Sequence, residues 1–112
     1  MDQNTFAIAF VGATAADANK YAADLAGVLR QIDPDVDAAP LRERNDSQDL
    51  GTTLAVVLGT ASITAVAKGV AAWLARTGTK LEIRADGVVV ATNLESGDAA
   101  KIAEAFSRRR SR

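Results

Sequence analysis

The sequence predicts an α+β fold in which a small mixed sheet of three to four strands packs against three helices. Two observations carry this prediction. Short apolar runs typical of strands alternate with longer segments of helical periodicity, and the expected order is β-α-β-α-β-β-α. The chain has 112 residues, of which 48% are hydrophobic, enough for one core. We therefore expect a single α+β domain at 1–107 and a basic C-terminal tail at 108–112.

The first two elements are indicated by residues 5–32. The run TFAIAFV at 5–11 is apolar, rich in β-formers and closed by Gly12, which predicts a strand covered on both faces. Thr14 is suited to cap a helix, and apolar residues follow at helical spacing. The helix is expected at 15–32 because Asp33-Pro34 disfavours its continuation.

The next segment predicts an edge strand and a surface loop. Residues 35–41 alternate weakly between polar and apolar side chains, and Pro40 has no N–H to donate to a central ladder. Residues 42–51 combine five charges with several loop-forming residues. We expect this stretch to be a loop at the surface.

The most unusual segment is the charge-poor stretch at 50–75, in which Lys68 is the sole charge. We predict a central Ala/Gly-rich helix at 52–77, ended by Gly78. Such a span is typical either of a buried helix or of a membrane helix. The position of Lys68 and the five hydroxyl residues favour burial. Membrane insertion or anchoring through helix 52–77 remains the alternative.

Small residues recur at spacings of four in this segment, which allows helices to approach closely. A face of this kind predicts protein–protein contact, with homo-oligomerisation as one form of it. The candidate interface residues are Ala55, Gly59, Ala61, Ala65, Gly69 and Trp73.

The last part of the domain predicts a hairpin and a helix. Lys80–Ala85 alternates in polarity, Asp86-Gly87 suits a two-residue turn, and three valines follow as the partner strand. Ser96 or Asp98 can cap a closing helix whose buried stripe contains Ala99, Ile102, Ala103 and Phe106.

Composition removes several classes of function. The chain has no histidine and no cysteine, so it cannot hold a disulfide, a thiolate nucleophile or an imidazole base. The acidic residues in DPDVD do not fit a calcium loop, since no glycine stands at its sixth position. We expect no enzymatic activity, no catalytic residue, no cofactor and no metal site.

Charge and the N-terminal sequence bear on partners and location. Residues 1–107 hold nine basic against fourteen acidic side chains, a net charge of −5, which is a poor footprint for nucleic acid. The N-terminus MDQNTF lacks the basic region of a secretory signal. We expect no nucleic-acid partner and a cytoplasmic protein.

The order of these features resembles a known family. A first strand and an amphipathic helix precede a polar loop, then the Ala/Gly-rich LAVVLGTASITAVAKGVAAWLA and the hairpin KLEIRADGVVV, and a closing helix completes the chain. The sequence is similar to the effector-associated constant component domain (first type) of bacterial conflict systems over about residues 5–106. The resemblance implies a non-enzymatic adaptor or regulatory component in defence. Its partner would be an effector such as a caspase-like peptidase or an associated ATPase.

Overall fold

The computed structural model describes residues 5–43 and 51–107 and confirms the α+β class. It contains three helices and a single sheet of five strands, which is one strand more than the upper end of our prediction. All strand pairs are antiparallel, so the prediction of a mixed sheet was wrong. In chain order the elements are β1 (Thr5–Val11), α1 (Ala15–Ile32), β2 (Asp37–Glu43), β3 (Gly51–Val57), α2 (Ile63–Thr77), β4 (Lys80–Ala85), β5 (Val88–Leu94) and α3 (Ala99–Ser107).

The strand order across the sheet is β2-β3-β1-β4-β5, with β1 in the centre. Phe6 lies opposite Val56 of β3 on one side and opposite Ala85 of β4 on the other. The first six elements follow the β-α-β-β-α-β order of the split βαβ arrangement. Strand β5 and helix α3 extend this unit beyond β4.

Helix α1 has the boundaries that its capping residues predict. The Thr14 hydroxyl accepts a hydrogen bond from the backbone N–H of Asp17 at 3.1 Å, which satisfies one of the free donors of the first turn. The helix ends at Ile32, directly before Asp33-Pro34. Here the local sequence determines both ends of the element.

The edge strand and the hairpin are also confirmed. Strand β2 contains Pro40 and lies at one edge of the sheet. Between β4 and β5, Asp86 and Gly87 have φ values of 55° and 78°. A two-residue hairpin turn with both central residues at positive φ twists in the sense that flanking strands need.

The prediction of a single helix at 52–77 was wrong. Residues 51–57 form strand β3, and α2 begins only at Ile63, where the Ser62 hydroxyl caps it by accepting a hydrogen bond from the N–H of Ala65. Threonine and valine in TTLAVV are β-branched and restricted at χ1, which favours a strand over a helix. Of the predicted element, the helix is retained at Ile63–Thr77 together with its end at Gly78, which has a φ of 74°.

Helix length also bears on the membrane alternative. Helix α2 has 15 residues. Within 5–43 and 51–107, no helix has both the length and the apolar character that crossing a bilayer requires. The continuous helix on which that alternative depended is absent from the structure.

The three helices pack on one face of the sheet and form a single core with it. Phe6, Ile8 and Phe10 of β1 point into this core, whereas the alternate residues of β1 are only partly covered. The expectation that both faces of β1 are covered was therefore wrong. Antiparallel sheets commonly leave one face uncovered.

Aromatic side chains are confined to the helical side of the sheet. Trp73 is fully buried and packs edge-on against Tyr21 and Phe10, with centroid separations of 5.7 and 6.0 Å. Phe6 and Phe106 form a second edge-to-face pair at 5.0 Å. These five residues account for every aromatic side chain in the chain.

Candidate interaction surface

The sheet face opposite the helices is the most distinctive surface of the described residues. The strand registers place one set of alternate side chains on it, and we call this set the open face. Its members among the described side chains are Thr5, Ala7, Ala9, Val11, Asp37, Ala39, Leu41, Thr53, Ala55, Val57, Lys80, Glu82, Arg84 and Val89; Thr53 is buried.

Alanines form the floor of the open face. Ala39 lies opposite Ala55, which lies opposite Ala7, so three neighbouring strands present methyl groups in one row. The row continues through Arg84 to Val89. Because three adjacent positions carry the smallest side chain with a Cβ, the middle of the face is low and apolar.

Larger apolar residues stand at the two sides of this floor. Leu41 on β2 is 50% exposed and Val89 on β5 is 49% exposed. Exposed single apolar residues are common, but Leu41 borders the alanine floor directly and Val89 lies beyond Arg84 on its other side. The resulting face has an apolar centre and raised apolar borders, a shape suited to another protein surface.

Two depressions lie in the open face. The larger has a volume of about 430 Å³, and Ala7, Ala55 and Leu41 are among its lining residues. The smaller, of about 290 Å³, includes Ala9 and Glu82 in its lining. Arg84 lines both, so the two depressions meet at this side chain.

The described charged side chains of the open face are Asp37, Lys80, Glu82 and Arg84, two acids and two bases. Lys80 lies 3.6 Å from Glu95, Asp37 is exposed at the β2 edge, and the other two are paired with each other. The Arg84 Nε donates to Glu82 Oε2 at 2.8 Å, and the Thr92 hydroxyl donates to the other carboxylate oxygen of Glu82 at 3.1 Å. Both charged side chains are about four-fifths buried, with 24% exposure for Arg84 and 20% for Glu82. A paired, partly desolvated acid and base add little net charge, so this part of the face around β4 can meet another surface without an unpaired charge being buried.

The acidic DPDVD segment has a structural role instead. Asp33 is fully buried and its carboxylate accepts from the N–H groups of Gly59 at 2.7 Å, Thr60 at 3.2 Å and Ala61 at 3.4 Å. Asp35 accepts from the Thr60 hydroxyl at 2.8 Å. These three N–H groups lie just before α2, where backbone donors favour an anion. The chain's own carboxylate fills that position and joins the end of α1 to the start of α2.

Gly59 is required by this arrangement. A Cβ built on it would lie 2.5 Å from Asp33 Oδ1 and 2.6 Å from the carbonyl carbon of Asp35. The spacing of small residues had suggested a helix contact for Gly59. Its close approach is instead to the turn that follows α1.

The six candidate interface residues do not share one face. Ala55 lies on the open face in β3, and Gly59 and Ala61 lie in the loop before α2. Ala65 is exposed on α2, while Gly69 meets the Ile32 side chain of α1. Trp73 is fully buried, and its indole N–H donates to Asp24 at 2.7 Å. Close helix packing is therefore seen at Gly69, and only Ala55 of the six belongs to the open face.

The open face was missed by sequence reasoning because its signal is weak. In β1, Ala7 and Ala9 alternate with large core residues, but alanine is compatible with a buried or an exposed position. The sequence placed Leu41 in an edge strand but did not indicate which residues its side chain would lie beside. A row of alanines across β2, β3 and β1 becomes visible only once the registers are known.

Among residues 5–43 and 51–107, no group of three or more carboxylates is placed to hold a metal ion. Two segments on which predictions were made, the 44–50 part of the surface loop and the 108–112 tail, lie outside the described residues. No family model matches the chain, and no curated protein or solved structure matches it either. Since common folds host many functions, the open face, and not the fold, is the feature that bears on function.

Proposed function

We propose that this protein is a non-enzymatic adaptor or regulatory component that works through protein–protein contact. Its partner in this proposal is an effector of a bacterial conflict system, such as a caspase-like peptidase or an associated ATPase, as the family resemblance implies. The observation that carries the proposal is the open face, with its alanine floor and its exposed Leu41 and Val89.

The chemistry of the open face favours protein over nucleic acid. Sheets that bind single-stranded RNA present aromatic side chains for base stacking on their open face. Here all five aromatic residues of the chain lie on the helical side. The basic groups Arg84 and Lys80 lie beside Glu82 and Glu95, so the described part of the face has no cationic stripe for phosphates.

The polar groups of the described residues support a non-catalytic role. The chain lacks histidine and cysteine, which leaves carboxylates and cations as acid–base groups. The buried carboxylate, Asp33, accepts from four backbone N–H groups, one from Asp35 and three from residues 59–61, and Asp24 accepts from the Trp73 indole. These acids stabilise the fold, and neither lines a depression of the open face.

Co-expression with a caspase-like peptidase or ATPase whose gene neighbours that of this protein tests the proposal. We expect a tagged chain to co-purify with that peptidase or ATPase, and Leu41→Glu to abolish recovery, because a charge would be buried at the contact. Ala72→Glu is the matched control, since Ala72 is exposed on α2. Recovery that is equal for wild type, Leu41→Glu and Ala72→Glu would contradict a role for the open face.

A further inference from the structure

We propose that the open face is occupied by a second copy of this chain, in a two-fold symmetric dimer with the two sheets stacked face to face. This inference rests on the proposed function, because it takes the open face to be a protein-contact surface. It names a second copy as the occupant of that face when no effector is bound. Shape, charge, area and the state of the sheet edges each support it.

The shape of the open face is self-complementary. A two-fold interface brings the same patch of both copies together, so a protrusion and the depression that receives it must lie on the same patch. Leu41 is half exposed, and the neighbouring depression of about 430 Å³ has Ala7 and Ala55 among its lining residues. In a two-fold dimer, Leu41 of each copy can enter the depression of the other.

The charges of the open face are compatible with the same symmetry. Glu82 and Arg84 lie two residues apart on β4 and form an ion pair. A two-fold axis between them would place each arginine beside the glutamate of the other copy. Two like copies would therefore meet without an excess of one charge.

The available area is sufficient for a weak dimer. Five strands of six or seven residues form the sheet. With strands about 4.8 Å apart and a rise of about 3.4 Å per residue, the face covers about 500 Å² per copy, or about 1,000 Å² in a dimer. A specific interface needs roughly that total, so the area is at the low end of what a reversible dimer requires.

The sheet edges are less suited to self-association. At one edge, Pro40 in β2 lacks a backbone donor. At the other edge, Arg84 pairs with Val89 and Ile83 with Ala91, so Val90 is an extra residue in β5. Bulges and proline are common means of preventing edge-to-edge pairing. Because both edges disfavour strand pairing between copies, stacking through the open face is the favoured mode of sheet-to-sheet association.

Sedimentation velocity of the purified full chain over a concentration series tests the dimer. We expect reversible dimerisation that Leu41→Glu and Val89→Glu weaken by about tenfold or more, since each buries a charge at the interface. Val88→Glu is the matched control. Val88 is 62% exposed, and its pairing with Ala85, the neighbour of Phe6, places it on the helical side of the same strand. Circular dichroism establishes that the variants are folded.

Three results would overturn the inference. The first is a wild-type chain that stays monomeric at the highest concentration. The second is a dimer that Leu41→Glu leaves unchanged. The third is equal weakening by Val88→Glu and Val89→Glu, which would indicate pairing through the β5 edge. If the wild-type chain is monomeric but Leu41→Glu still abolishes recovery of the effector, the dimer proposal is refuted and the proposed function is retained.

Discussion

Replacing Asp33 with alanine tests the idea that one carboxylate holds the start of α2 against the end of α1. The change removes the acceptor for three consecutive backbone N–H groups, at 2.7, 3.2 and 3.4 Å. A hydrogen bond to a charged group contributes about 1.5–3 kcal/mol. The two longer bonds contribute less, and water can replace the one at Thr60, which is exposed. We therefore expect Asp33→Ala to lower the free energy of unfolding by about 2–4 kcal/mol.

Guanidinium denaturation followed by tryptophan fluorescence measures this loss, because Trp73 is the sole tryptophan and is buried. The matched control is Asp35→Ala, which removes a hydrogen bond to the exposed Thr60 side chain and is expected to cost less than about 1 kcal/mol. Equal losses for the two variants, or a loss below about 1 kcal/mol for Asp33→Ala, would refute the reasoning.

Gly59→Ala probes the same contact from the other side. The new methyl would overlap Asp33 Oδ1 and the Asp35 backbone, so overpacking should destabilise the chain by about 1–3 kcal/mol. When Gly59→Ala is combined with Asp33→Ala, the overlap with the Asp33 carboxylate disappears and the overlap with the Asp35 backbone remains. The double variant should therefore lose less than the sum of the single losses, and strict additivity would indicate that the two residues are not coupled.

Three further substitutions test other contacts by the same denaturation assay. Asp24→Ala leaves the buried Trp73 indole N–H without its acceptor and should cost about 1–3 kcal/mol, whereas Asp24→Asn retains an acceptor and should cost less; equal effects would contradict this. Thr14→Ala removes the α1 cap and should cost about 1 kcal/mol, with Thr14→Ser close to wild type; a loss for serine as large as for alanine would exclude the hydroxyl as the cause. Gly69→Ala places a methyl against Ile32 and should destabilise by about 1–3 kcal/mol, and Ile32→Val in the same chain should reduce that loss; no reduction would show that this contact is not responsible.

The sequence predicts elements well where short-range signals agree. Helix α1 begins after Thr14 and ends before Pro34, and the β4–β5 turn falls at Asp86-Gly87, because capping and positive φ are local requirements. The strand at 51–57 was predicted as helix because it adjoins a true helix with the same alanine- and valine-rich composition. The Ser62 cap marks the boundary, but a serine within an apolar stretch has several interpretations.

The open face was not predictable for a different reason. It depends on registers between strands that are distant in sequence, and a shift of one residue would move Ala7 or Ala55 to the core. The buried carboxylate at Asp33 is likewise a long-range feature, because its donors at 59–61 come from another part of the chain. The spacing of residues within one segment contains no information on the register between strands or on the donors that reach Asp33.

The central position of β1 has a consequence for how the chain folds. Its partners β3 and β4 both come much later in the sequence, so neither edge of Thr5–Val11 can pair until those strands have been synthesised. Sheets built from such distant pairings fold slowly, on the millisecond-to-second scale. During translation, TFAIAFV is an unpaired, uncharged β-forming segment of the kind that aggregates. Protection of the central strand from aggregation therefore depends on the arrival of β3 and β4, the last of its partners to be synthesised.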